Sequence, residues 1–209
     1  MLDNAAFGGA TPVVPKFIST SDPASRWTGA DKGPAYFAYA TNYLIDLDHA
    51  VIVDVEATTA VRQAEVGAVR TMIERVRERH DLQPSRLAAD TAYGSAEMLD
   101  WLVNKQRIAP HIPVIDKSGR DDGTFARSDF TYDPAADTYC CPTGKTLKRN
   151  RRAFRTPRPN APPDDTYRYR ASKIDCDACA LKSRCSPNTP ARKVTRSIYE
   201  GARDLAREI

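Results

Sequence analysis

Two groups of residues in this 209-residue chain have types and spacing that chemistry can use. The first lies in "LAADTAYGS", residues 87–95, where an apolar run ends in Asp90 and a Tyr93-Gly94 turn follows at once. A strand that stops at a carboxylate holds it rigidly at a sheet edge, the place from which open α/β folds present working groups. The competing reading of Asp90 is a helix cap or a solvated turn aspartate. The second group is Cys141, in a Cys-Pro-x-Gly knuckle, with Cys176-x2-Cys179-x5-Cys185. Zinc takes four borderline or soft ligands in a tetrahedron, and a Cys-x2-Cys turn supplies two of them from one tight loop. Five cysteines are an odd number for a disulfide framework, and Cys140 reads as the bystander. Reduced cysteines without metal are the alternative.

The elements that must position these residues can be read from periodicity. Residues 1–34, rich in Gly and Pro, read as an irregular lead-in. "AYFAYATNYLIDLDHAVIVDVEAT" reads as a hairpin, with strands over Phe37–Leu47 and Val51–Val55 and a turn at Asp48-His49. Asp46 and Asp54 alternate with apolar neighbours and are expected to face solvent. From Ala60 to Arg79, Val66, Val69, Ile73 and Val76 recur at spacings of three and four, which predicts an amphipathic helix. A short buried strand ends at Asp90, a helix capped by Ser95 buries Met98, Leu99 and Leu102, and residues 107–115 form a further strand. Pro110 and Pro113 argue that this last strand is an edge. Hairpin strands followed by alternating helices imply an α/β (α+β) fold with a mixed sheet, and the Asp90 strand is expected near its centre.

Charge is unevenly spread. From Lys145 onward there are 17 Lys+Arg against 7 Asp+Glu, which leaves 14 against 20 for the rest of a chain of net charge +4. The segment "KRNRRAFRTPRPNAPPDDTYRYR" has neither period and reads as an exposed loop. Its Arg149, Arg151, Arg152, Arg155 and Arg158 are candidate contacts to a polyanion, a solvated basic loop being the bland alternative. No apolar stretch approaches the ~20 residues of a membrane span, and no secretion signal opens the chain. A soluble, intracellular protein is expected.

These features occur in an order that resembles bacterial insertion-sequence transposases of the DDE, RNase-H-like type. The likeness runs through "STSDPASRWTG", "FAYATNYLIDLDHAVIVDVEAT", "LAADTAYGSAEMLDWL", "APHIPV", "DFTYDPAADTYCCPTGK", the cysteine segment and "RSIYEGARDLAREI". It implies a partial RNase-H-like core over 35–118, a cysteine-rich basic insertion over 119–192 that binds Zn2+, and a C-terminal helix of the core over 193–209. It also implies metal-dependent DNA strand cleavage and transfer in transposition, with Mg2+ or Mn2+ held by three carboxylates. Asp90 matches the second of them. The strand that bears the first is not recognisable, Asp3 and Asp22 being weak stand-ins. The Tyr-x2-Arg-x3-Glu-x6-Lys pattern of the third does not occur. Glu200 is the tempting substitute, but its neighbours favour a surface pairing with Arg196 or Arg203. The chain is therefore expected to represent the central to C-terminal part of such a transposase, truncated and inactive alone. DNA, as transposon ends and target, is the implied partner, in the cytoplasm at the nucleoid; a homodimer is compatible with this, and no membrane contact is expected. The alternatives are a non-catalytic zinc-containing nucleic-acid-binding module and a decayed remnant of a mobile element.

Overall fold

The alternation after Pro34 forms the expected hairpin. In the computed structural model, which describes residues 14–29, 33–116, 119–149 and 165–209, strands β1 (Arg26–Thr28), β2 (Tyr36–Asp46) and β3 (Val51–Thr59) make an antiparallel sheet in the order β1-β2-β3. Among the described residues the lead-in thus contributes one strand, paired with Tyr36–Ala38 at the start of β2. Asp46 shapes the hairpin turn: Oδ1 accepts the Asp48 N–H at 2.9 Å, and Oδ2 lies 2.7 Å from His49 Nδ1.

Helix α1 (Arg62–His80) buries Val66, Val69, Met72, Ile73 and Val76 and packs on β3 and β2. Its Arg75 reaches back to the sheet. Nε donates to Asp54 Oδ2 at 2.8 Å, Nη1 to Glu56 Oε2 at 2.7 Å and Nη2 to the Val55 carbonyl at 3.0 Å. Asp54 is therefore turned toward the helix, its side chain 14% exposed, and not toward solvent as its alternation had implied. The other face of the hairpin is apolar and exposed, with Tyr43 opposite Val55 and Ile45 opposite Ile52.

Strand β4 (Arg86–Ala88) pairs in parallel with β5 (Ala109–His111). Between them Ser95 Oγ accepts the Met98 N–H at 3.2 Å and caps α2 (Ala96–Asp100), which continues as a wider π-type turn, Trp101–Gln106. Met98, Leu99 and Leu102 are fully buried, as their spacing had implied. The class is mixed α/β, but among the described residues the strands are not joined in one mixed sheet. β4, expected near the centre, has β5 as its sole strand partner among the described residues. Pro110 lies in β5, where it removes a ladder donor without breaking a second pairing.

All of these elements belong to the first of two compact units, Met1–Val114 with Leu205–Ile209; the second is Ile115–Asp204. The second unit is built on a five-stranded antiparallel sheet that periodicity did not announce. Its strands are β6 (Thr131–Asp133), β7 (Thr138–Cys140), β8 (Thr146–Lys148), β9 (Thr166–Arg170) and β10 (Lys193–Ser197), in the order β10-β9-β8-β7-β6. One face buries Tyr139, Leu147, Tyr169 and Val194 with Phe130 and Ala171. Tyr132, Tyr139 and Tyr169 meet edge-on or tilted, with ring centroids 5.0 to 6.1 Å apart. Asp137 accepts hydrogen bonds from the hydroxyls of Tyr132 and Tyr169, and burial raises the pKa of both phenols. Two short helices follow β9, α3 (Lys173–Asp177) and α4 (Lys182–Cys185).

The segment 193–209, read from sequence as a helix of the core, is divided. Lys193–Ser197 is β10, and the helix α5 spans Glu200–Glu208. Val194 alternates with exposed Lys193 and Thr195, a strand period that the helical spacing of Ile198, Ala202 and Leu205 had masked. Among the described residues no helix is long and apolar enough to cross a membrane.

Candidate functional site

The backbone pairing of β4 with β5 extends one residue past the strand, with the Ala89 N–H 3.4 Å from the His111 carbonyl, and Asp90 comes next. Asp90 is the cap of a single 3-10 turn, Thr91–Tyr93, and its Oδ1 accepts the Ala92 N–H at 2.7 Å. Both readings of this residue meet here: it stands at the carboxyl end of a parallel strand, and it is a cap. The side chain is exposed. Beside it, burial raises the Tyr93 hydroxyl pKa, with the charges of Asp90 and Glu65 adding to the effect.

The two substitutes for the remaining carboxylates are engaged elsewhere. Asp22 accepts the Tyr39 hydroxyl, 3.0 and 2.9 Å from its two oxygens, and the Ala24 N–H at 3.2 Å, so it pins the lead-in to β2. Glu200 is 1% exposed and lies between two guanidiniums, Arg127 Nη1 and Arg203 Nη1, each at 2.8 Å. Asp116 joins the same cluster, 3.3 Å from Arg127. The expected surface pairing of Glu200 is corrected on two points: the contact with Arg203 forms in the interior, and Arg196 pairs with Asp204 instead, at 2.9 Å. A carboxylate already matched by two cations has no charge left to offer a metal ion. Among the described residues, no three His, Cys, Asp or Glu side chains are grouped so as to hold an ion. The residues around Asp90 therefore do not fit a two-ion site. Asp3 lies outside the described residues.

The thiols are differently placed. Cys141 directly follows β7, and the chain turns back there: its N–H donates to the Lys145 carbonyl at 2.9 Å, and Gly144, at φ 77, closes the turn on the Cys141 carbonyl at 2.8 Å. That positive φ is why glycine serves there. The Lys145 N–H points at Cys141 Sγ, 3.3 Å away. Cys176 and Cys179 flank the end of α3, with the Cys179 N–H on the Cys176 carbonyl at 3.2 Å, and Cys185 ends α4. Cys141, Cys176, Cys179 and Cys185 all line one pocket, with Thr143 and Arg192 in its wall. The Thr143 hydroxyl sits 3.1 Å from Cys141 Sγ and 3.9 Å from Cys179 Sγ. Burial raises the Cys185 thiol pKa, Arg192 opposes this, and the other three thiols add to the rise. All five cysteines are free. The pocket thus gathers four donors of the right kind, although the sulfurs are not closed to ligating distance around a common centre. Cys140 is exposed on strand β7, apart from the pocket. Thr143 is the neighbour that sequence reasoning missed; the turn "CPTGK" was its signal.

Of the basic candidates, Arg149 lies over the Tyr167 ring at 3.6 Å from its centroid. Arg151, Arg152, Arg155 and Arg158 lie outside the described residues.

The family described as the transposase DDE domain matches residues 15–174, which is most of the chain. The chain belongs to this family, and with membership come a transposition-related function, DNA as partner and a divalent metal as the family's usual cofactor. The matched stretch includes Asp90 and Cys141 and stops just ahead of Cys176, Cys179 and Cys185. No curated protein and no solved structure matches the chain.

Proposed function

We propose that the chain carries the central part of an RNase-H-like transposase core, with Asp90 as one of its metal-binding carboxylates, and that by itself it does not cleave or join DNA. The observation that carries this reading is Asp90 itself, the cap of a turn at the carboxyl end of the parallel strand β4, followed by a helix and β5. Two features of the first unit support it. Beyond Ala38 the outer edge of β2 has no strand partner among the described residues, and neither has the outer edge of β4. Arg86 at the start of β4 lies 3.6 Å from Asp48, just past the end of β2, which brings the start of one strand to the end of the other. A further strand, antiparallel to β2 and parallel to β4, would complete one mixed sheet and bring its own terminal carboxylate beside Asp90. Without it, one aspartate cannot hold two ions about 4 Å apart.

The second unit is proposed as a zinc-binding insertion. Its pocket presents Cys141, Cys176, Cys179 and Cys185, and closing them on one ion would require the turn 141–145, α3 and α4 to draw together. There the metal would cross-link β7 to the two helices, a structural role with all four positions filled by protein. The basic residues Arg149, Arg151, Arg152, Arg155 and Arg158 are proposed to meet the backbone of transposon ends or target DNA in the cytoplasm. The exposed apolar face of β2 and β3 is a surface that a homodimer would cover. A second reading, a zinc-containing DNA-binding module without catalysis or a decayed remnant, is favoured by one observation, the locking of Glu200 between two arginines.

The test is release of nicked or joined product from a duplex substrate in Mn2+ by the purified 209-residue chain, beside Asp90→Ala. The proposal expects no product from either. Product from the chain that disappears in Asp90→Ala contradicts the inactive reading and sends the search for partners back to Asp22. Product that persists in Asp90→Ala removes Asp90 from the site.

A further inference from the structure

Strands β8, β9 and β10 contain five Lys or Arg residues and no Asp or Glu. Side chains alternate across a strand, so Leu147, Tyr169 and Val194 enter the core while Lys148, Arg168, Arg170, Lys193 and Thr195 stand exposed on the other face. Register places three of these cations in one line. Lys148 is opposite Arg170, and Arg170 is opposite Lys193; Arg168 stands one pair along, opposite Thr195.

We infer that this face of the second unit, with Lys148, Arg170 and Lys193 in a row and Arg168 beside them, is a docking surface for the phosphate backbone of duplex DNA. The inference deepens the reading of the chain as a DNA-acting protein and rests on it. It names a surface separate from the basic loop and from Asp90. Neighbouring strands are about 4.8 Å apart, so the row spans about 10 Å. Duplex DNA carries a negative charge every ~1.7 Å of its axis, so several phosphates fall within reach of the row. The contacts are to phosphate and carry no sequence information, which suits a surface that holds DNA while specificity is set elsewhere. Thr195 and Thr146 add hydroxyl donors on the same face.

The experiment is a salt titration of binding to a labelled duplex of arbitrary sequence, without added Mg2+ or Mn2+ and without a chelator, so that neither catalysis nor a divalent ion at Asp90 contributes and any zinc at the cysteine pocket stays in place. Each phosphate neutralised contributes about 0.9 to the slope of log K against log salt. The triple variant Lys148→Gln/Arg170→Gln/Lys193→Gln should therefore lose between about 2 and 3 of slope. A charge-matched control on the first unit, Arg62→Gln/Arg79→Gln/Lys105→Gln, should keep the wild-type slope. The single variants Lys148→Gln and Lys193→Gln, each losing about 1, carry the test if the triple variant does not fold. Equal losses in the sheet and control variants would mean diffuse attraction and overturn the inference. A sheet variant with the wild-type slope overturns it too, while leaving DNA binding by the chain intact. Absence of wild-type binding at low salt removes the DNA reading as well.

Discussion

The end of β4 and the start of α5 each hold a carboxylate that a metal-dependent enzyme could use, and the fold treats them in opposite ways. Asp90 is exposed, spends one oxygen on the Ala92 N–H, and belongs to no group of three or more His, Cys, Asp or Glu side chains that could hold an ion among the described residues. Glu200 is buried between Arg127 and Arg203, with Asp116 in the same network. Position at a strand end makes a carboxylate available, while burial among guanidiniums makes it structural. The comparison teaches that a candidate ligand has to be judged by what already neutralises it.

The largest effect should come from breaking the buried side of this comparison. Glu200→Ala leaves Arg127 and Arg203 with the part-exposed Asp116 beside them in place of a buried carboxylate, and removal of one partner from a buried ion pair typically costs about 3–5 kcal/mol. Urea melts should show it as a lowered midpoint. A loss below about 1 kcal/mol would mean that the cluster is solvated and Glu200 available after all.

The cysteine pocket extends the comparison to thiols, which are gathered but not yet closed. Elemental analysis is expected to find about one zinc per chain. Cys179→Ser should lower that ratio, and Cys140→Ser should not. Zinc-free protein that melts like the purified material would contradict the site.

Asp90→Ala removes a cap and little else, so a loss of about 0.5–1 kcal/mol is expected, well below that of Glu200→Ala. A larger loss would assign Asp90 a structural role and weaken the contrast between the two carboxylates.

The smallest effect belongs to the hairpin turn, an exposed pair that brackets the range. The hydrogen bond to Asp46 raises the His49 pKa, and the same contact lowers that of Asp46. A raised histidine contributes stability that is fully present below its unfolded value near 6.5 and is lost as pH rises through the folded value. The lowered aspartate contributes above its unfolded value near 3.8 and loses this as pH falls through the folded one. His49→Ala should therefore matter slightly between these limits and not in alkali; an NMR titration of His49 with an unshifted midpoint would remove the pair.

Where the sequence was legible, one period ran long enough to be heard. Residues 37–55 alternate and Val66 to Val76 recur every three or four, so the hairpin could be read as an element and α1 with its buried face. Which face of the hairpin meets the helix could not be read, since Asp54 turns to Arg75 while Tyr43, Ile45 and Val55 are exposed. Strands β6, β7 and β8 have three residues each, too few for a period to emerge from the turns and cysteines between them. Arg75 with Asp54, and Arg127 with Glu200, are contacts between residues far apart in the chain, and no local spacing reports them. The thiols were legible because Cys-x2-Cys is a local device, whereas the cation row on β8, β9 and β10 needed the register.

The central claim is that Asp90 stands as a lone carboxylate at the end of its strand. It is tested most directly by titrating Mn2+ into the isotope-labelled chain and following paramagnetic broadening of amide signals. The account predicts broadening centred on Thr91 to Gly94, abolished in Asp90→Ala, with a dissociation constant weaker than about 1 mM, because affinity follows the number of charged ligands. Binding of two ions there at micromolar concentration would contradict it, since that requires carboxylates which this account places elsewhere.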